Sequence, residues 1–213
     1  MTDETPATAA DALRAGVAAH NVGEYDIARA IWAGETPMAP ETGPDDSLRT
    51  GLAAFATAVL DARRGGWTVA LAAAEEADSE LAAADPRDDP TGVDLTPVER
   101  WLAAFRADPA LAERSPPPLL SIGGEQPTPG ELPLSAAALV AVAVATGIGD
   151  DPEVVVDAVR YARESDQPES TRYATFVRDY ADADASQRSI VFERLSSMVQ
   201  RERRKEDDVS GLF

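Results

Sequence analysis

Residues 16–35, GVAAHNVGEYDIARAIWAGE, constrain what this chain can fold into more than any other stretch. Apolar positions recur at helical spacing on both sides of Asn21-Val22-Gly23. Leu13 and Val17 lie four apart before it, and Tyr25, Ala28 and Trp32 share a face after it. Gly23 has no Cβ and can end the first helix in a left-handed conformation at little steric cost. The spacing predicts helices at 11–20 and 24–33, folded as an αα-hairpin whose apolar stripes face each other and whatever covers them.

The pattern stays helical beyond the hairpin. A Pro- and Gly-containing loop at 34–44 leads to Asp45 or Asp46, either one a suitable N-cap for a third helix bearing Leu48, Leu52, Phe55 and Val59. Arg63 and Arg64 suit that helix's C-terminal dipole, and Gly65-Gly66 stops it. A fourth helix, 67–84, places Leu71, Ala74, Ala77 and Leu81 on one face, and a polar loop follows at 85–94. Thr96-Pro97-Val98-Glu99 reads as a capping box opening a fifth helix with Val98, Trp101, Leu102 and Phe105. Residues 108–133 hold seven prolines and three glycines and break the pattern. Leu119, Leu120 and Ile122 are too apolar to leave in water, so this arm is expected to lie on the surface of a lobe. Further helices are expected at 134–147, from Asp151 through Ala162, around Tyr173, Phe176, Val177 and Tyr180, and at 186–205. In the last, Val191, Leu195, Met198 and Glu202 fall at heptad-like spacing.

No strand pattern appears, so the predicted fold class is all-α: an αα-hairpin-based helical bundle, a Pro-rich arm and a second helical lobe. The predicted division is a disordered N-terminus at 1–9, a helical domain at 10–108, the arm at 109–133, a C-terminal lobe at 134–205 and a tail at 206–213. Trp32, Trp67 and Trp101 recur near the tetratricopeptide period of about 34 residues, but they fall at the end, the start and the interior of their helices. They read as anchors of one core rather than as repeats.

A chain of 213 residues can bury a proper core, and with no cysteine it has neither disulfides nor thiolate metal sites. Its first residues, MTDETPATAA, lack the apolar segment of a signal peptide. The most apolar run, 136–148, is short of the about 20 residues a bilayer requires. These features predict a soluble, cytoplasmic protein. There are 38 acidic residues against 19 basic ones, a net charge of −19, and Lys205 is the only lysine among the 19. At about 0.15 M salt the Debye length is about 8 Å, so such charge pushes a compact state apart; at about 1 M it is about 3 Å and the repulsion is screened. The composition fits a halophile's molar-salt cytoplasm, with an ordinary acidic protein as the alternative.

His20-Asn21-Val22-Gly23-Glu24-Tyr25 through Trp32, followed by Gly51-Leu52 and Arg63-Arg64-Gly65-Gly66-Trp67, resembles the domain of unknown function 309 family over residues 10–85. The C-terminal part, IVFERL at 190–195 and residues 207–213, is similar to extensions of halophilic archaeal members. The family comprises small all-helical proteins catalogued as predicted metal-dependent hydrolases. The resemblance implies an αα-hairpin scaffold, but its polar positions depart from the family pattern. Where the family carries a histidine, an acid and a further acid after the tryptophan, this chain has Arg29, Ala30 and Ala33 around Trp32. Where the third helix often has glutamine and histidine, the matching stretch has Ala54, Leu60 and Asp61.

The residues themselves offer little chemistry. Metal sites use three or four His, Cys or carboxylate ligands, and one histidine leaves only an all-oxygen site. Glu75, Glu76, Asp78 and Glu80, and likewise Asp85, Asp88 and Asp89, read as solvated faces of an acidic protein. His20 reads as a hydrogen-bonded surface or helix-end residue. No nucleophile elbow or phosphate loop occurs. No catalytic residue, metal ligand or cofactor is assigned. The basic cluster at 201–205 complements a helix C-terminus, and the overall charge argues against nucleic acid. Arg29 is the one residue with an open role: a surface pair, a buried ion pair with Asp61 or Glu24, or an anion site. The chain is therefore expected to be a non-enzymatic scaffold or protein-binding module that associates with another protein or with itself. The alternative is a metal-dependent hydrolase or small-anion binder with a pocket of Glu24, Tyr25, Arg29, Trp32 and Asp61. The tail, ending in Leu212 and Phe213, is expected to dock on its own domain, with docking in trans as the alternative.

Overall fold

The structure, a computed structural model, describes residues 7–40, 46–84 and 92–210, except for the side chains at 209 and 210. Those residues form an all-α array with no strand among them. The hairpin is α1 (Ala9–Asn21) and α2 (Tyr25–Trp32). Gly23 is left-handed, with φ 84°. Its N–H donates to the His20 carbonyl at 2.9 Å and Glu24 N–H to that of Ala19 at 3.0 Å, the Schellman pattern that satisfies the last carbonyls of α1. The same bonding closes α2 at Gly34 and α3 at Gly65.

The long helices α3 (Ser47–Arg63) and α4 (Trp67–Ala83) form the most closely associated pair, with α3 against α2 and α5 (Thr96–Ala107) against α4. Asp46 is the N-cap of α3, accepting from Arg49 N–H at 3.2 Å; Asp45 lies outside the described residues. A short α6 (Leu111–Arg114), which the sequence reading left inside the arm, precedes α7 (Leu134–Ile148). Every residue of α7 from Ala136 to Ala145 is buried. The helix touches α1 and α2 on one side and α8 (Pro152–Arg163) and α9 (Arg172–Asp182) on the other. α10 (Arg188–Ser210) closes the array over α8 and α9. Among the described residues no helix is long and apolar enough to cross a membrane.

Buried side chains form a single cluster from Ala7 to Val199, so the core is continuous across the predicted domain division. Trp32 and Trp101 sit inside it and Trp67 packs on its edge. The arm lies on the surface as expected: Leu120 is buried, Leu119 is exposed, and Ile122 forms isolated bridges with Val93 and Glu125.

Three expectations are corrected. Residues 7–9 are structured, because Thr8 and Asp11 form a reciprocal capping box at the start of α1, with Ala7 buried beneath it; residues 1–6 lie outside the described residues. Thr96 does not cap α5. It is already helical, and Asp94 accepts its N–H at 3.0 Å instead, because the helix starts with Leu95 as N-cap. Residues 206–210 continue α10 rather than beginning a tail, and 211–213 lie outside the described residues.

Candidate functional site

The hairpin interior, where a reaction centre would have to sit, is filled with rings. His20, on the same stripe as Leu13, Gly16 and Val17, is 1% exposed, so of its two expected settings the surface one is corrected and the hydrogen-bonded helix end holds. Its ring centroid lies 5.0 Å from Tyr25, 6.2 Å from Trp32 and 5.3 Å from Phe55. Phe55 continues edge-on to Trp101 at 5.5 Å, and Trp101 stacks on Phe105 at 4.8 Å. There is no room to spare around Trp32: a Cβ added to Gly16 would fall 2.2 Å from its Nε1. Gly16 therefore lets α1 approach the indole.

His20 acts as a latch in this setting. Its Nε2 lies 2.9 Å from the Pro118 carbonyl, which can only accept, so Nε2 carries the proton and Nδ1 is a bare acceptor. Nδ1 has no hydrogen-bond partner among the described residues. Burial pushes the imidazole pKa down to about 4 despite the carbonyl bond, keeping the ring neutral near pH 7. Asn21 fastens the arm a second time: its amide donates to the Leu120 carbonyl at 3.0 Å and the Pro127 carbonyl at 3.2 Å, and accepts from Leu120 N–H at 2.8 Å. The lone histidine and its neighbour are thus committed to holding the arm.

The five residues predicted to form a pocket do not meet in one. Trp32 is fully buried in the ring cluster. Tyr25 is half-buried at its edge, with the Arg63 guanidinium 5.5 Å from its ring centroid. Glu24 turns to the start of α10, where it takes Arg188 at 2.9 Å. Arg29, half-buried, pairs with the exposed Glu35 at 2.7 Å, so the surface-pair option holds and a buried pair with Asp61 or Glu24 does not form. The Glu35 bond and charge raise the Arg29 pKa against some desolvation, and the partner's pKa falls accordingly. A shallow depression of about 270 Å³ beside Arg29 is lined by Ala33, Thr50, Ala53, Ala54, Thr57 and Glu76, without Tyr25, Trp32 or Asp61. The backbone carbonyl of Asp61 is occupied in closing α3. No group of three or more His, Cys, Asp or Glu side chains among the described residues is placed to hold a metal ion.

Two features escaped the sequence reading. The most deeply buried arginine among the described residues is Arg49, joining α3 to Asp46 at 3.3 Å and to the Pro40 carbonyl at 3.0 Å, with Arg188 also buried. Its position one residue after the apolar Leu48, within the first turn behind an acidic N-cap, was the available signal. The second is a groove between α9 and α10, seen as two adjoining depressions of about 490 and 330 Å³ that share Arg172, Met198 and Arg201. Met198 and Phe176 are half-buried in it, while Leu195 and Val199 carry the buried seam of α10. The heptad reading had placed Met198 in that seam.

Comparison with protein-family models, with curated proteins and with solved structures finds no match for this chain.

Proposed function

We propose that the chain is a non-enzymatic helical scaffold that binds protein, built on a hairpin of the domain of unknown function 309 type whose polar centre has been replaced by hydrocarbon, and adapted to a molar-salt cytoplasm. The observation that carries the reading is the hairpin interior. Trp32, Phe55 and Trp101 occupy it, and its imidazole, His20, is held neutral by burial and bonded to a backbone carbonyl. Acyl or phosphoryl chemistry needs a base, a nucleophile or a cation with reacting atoms within about 3 Å of one another. Here Glu24 and Arg29 are directed to separate partners, Arg188 and Glu35, and Asp61 does not line the depression beside Arg29.

The test is recovery of the full chain from a native lysate held at about 2 M KCl, followed by native mass spectrometry and metal analysis. A stoichiometric protein partner retained equally by the native chain and by Arg29→Ala is the expected result. A stoichiometric metal or metabolite that stabilises the native chain thermally, but not Arg29→Ala, would replace the scaffold reading with the hydrolase or anion-binding one.

A further inference from the structure

We propose that residues 115–121, SPPPLLS, are a ligand held in cis. The seat they occupy at the end of α1 receives, when the arm lifts, an extended proline-rich segment of a partner protein with a leucine two residues beyond the bonded proline. The inference rests on the protein-binding reading and names the partner's chemistry.

This stretch is held differently from what flanks it. On one side Ser115 N–H donates to the Leu111 carbonyl and closes α6. On the other the Ser121 carbonyl accepts from Asp94 N–H, and Ile122 bridges to Val93. Between them, among the described residues, no backbone group of Pro116 through Leu120 bonds to another backbone group. Their bonds go instead to two side chains of α1. His20 Nε2 donates to the Pro118 carbonyl at 2.9 Å. The Asn21 amide takes both backbone groups of Leu120, donating to its carbonyl at 3.0 Å and accepting its N–H at 2.8 Å, and it also reaches the Pro127 carbonyl at 3.2 Å. Contacts of this kind recognise a main chain, and the same groups can be offered by another chain.

The side chains supply the selection. Ser115, Pro116 and Pro117 each precede a proline, which confines them to the extended or polyproline II region, and each proline ring fixes its own φ. The stretch is therefore preformed and loses little entropy on docking. Leu119 is exposed and Leu120 fully buried, so the second leucine is selected and the first is not. His20 presents its donor from among Tyr25, Trp32 and Phe55, and aromatic surfaces that bind a proline-rich backbone are a recurring mode of peptide recognition. Neither His20 nor Asn21 is charged near pH 7, so molar salt does not weaken the contact. Lifting residues 116–120 leaves the closing bond of α6 and the Val93 bridge in place, so the strap opens without unravelling either neighbour. Tethered at both ends, it competes at an effective concentration on the order of millimolar, the threshold a partner segment has to exceed.

The experiment is calorimetric titration of the full chain at about 2 M KCl with a synthetic SPPPLLS peptide at up to about 5 mM, with helicity checked by circular dichroism. Leu120→Ala, which empties the seat in cis, is expected to bind the peptide at least about tenfold more tightly than the native chain. Pro117→Gly combined with Pro118→Gly loosens the strap while leaving every buried side chain in place, and is expected to show a smaller gain of the same sign. Adding Asn21→Ala to either variant is expected to abolish binding, and a peptide with alanine at its sixth position is expected not to bind. Absence of binding to both loosened variants overturns the proposal, as does binding that survives Asn21→Ala. A loosened chain that dimerises without peptide, by analytical ultracentrifugation, assigns the seat to a second copy and overturns it too. These failures leave a co-purified partner intact and place it elsewhere on the surface, whereas a native lysate that yields no protein partner removes the scaffold reading itself.

Discussion

Residues 1–133 carry 23 acids against 9 bases, whereas residues 134–213 carry 15 against 10, and the two regions hold themselves together by different means. In the first, the ion pairs are mostly local: Arg29 with Glu35, Arg49 with Asp46, Arg114 with Asp108. Cohesion there comes from rings, namely Trp32, Phe55, Trp101 and Phe105 around His20. The second region has an alanine- and valine-rich centre in α7, and arginines tie α8 to α10 over long sequence separations. The contrast has a physical logic. Apolar contact is indifferent to charge density, so it suits the region where repulsion is worst. Cross-ties between helices need cations, which only the second region has in near-sufficient number.

The largest expected effect follows from that imbalance. Between about 0.1 and 2 M KCl the melting temperature should rise on the order of 10 °C, equivalent to roughly 3–5 kcal/mol for a chain of this size. Hydrogen exchange should show where the loss at low salt falls, with protection in α3 and α4 fading before that in α7 and α8. A melting temperature flat across that range would end the halophilic reading, and uniform loss of protection would break the regional contrast.

Next in size is the ring cluster itself. Trp32→Ala should cost about 3–5 kcal/mol by denaturant unfolding, since it empties a fully enclosed site. The loss should be as large at 2 M KCl as at 0.1 M, because salt does not screen apolar contact. A loss that shrank with salt would mean that Trp32 acts through charge rather than through packing.

How much of this could be read beforehand depended on whether the controlling interaction was local. Gly23, Gly65 and the N-caps Asp46 and Asp151 were legible because a helix end is decided within a few residues. The apolar stripes of α3, α4 and α5 were legible because burial repeats with the helical period. His20 was legible as a hydrogen-bonded helix-end residue but its burial was not, since a single polar residue at a helix end gives no sign of a carbonyl arriving from Pro118. The same limit applied to arginine. Arg29 faces the edge of α2 and found a neighbouring surface acid, while Arg49 was drawn under the loop by Asp46 and Pro40. Which arginine is buried depends on how the chain folds back, and composition carries no record of that. The capping box at Thr96 failed for a smaller reason: Asp94, two residues earlier, competes for the same N–H.

The His20 latch gives a third, smaller effect with a definite sign. The folded imidazole titrates near 4, below the ordinary value of 6.5, because burial disfavours its charged form. Between those values the unfolded chain binds the proton and the folded chain does not, so stability is complete above about pH 6.5 and declines as pH falls toward 4. The decline attributable to this group is at most about 3 kcal/mol. Comparing the native chain with His20→Phe over pH 4–7 isolates it. The variant should be less stable at pH 7, where the Pro118 bond is missing, and should have a shallower slope. Equal slopes would show that the ring titrates normally and that the arm is held by Asn21 alone.

The smallest effect tests the other region. Arg160 holds Asp157, Glu164 and Glu206, and its guanidinium lies 4.2 Å from the Tyr161 ring centroid, so its charge is strongly favoured. The same surroundings, chiefly burial and the Glu206 bond, push the Tyr161 hydroxyl up to about 12. Yet Arg160 is more than a third exposed, and pairs of that kind contribute about 0–1 kcal/mol in water. Arg160→Ala should therefore cost no more than about 1 kcal/mol at low salt, and less at 2 M KCl, where Trp32→Ala keeps its full effect. A cost of several kcal/mol that persisted in molar salt would mean that the α8–α10 cross-ties act as a dry, cooperative network. The C-terminal region would then be held by its charges at every salt concentration, and it would no longer differ from the ring-held first region in its response to salt.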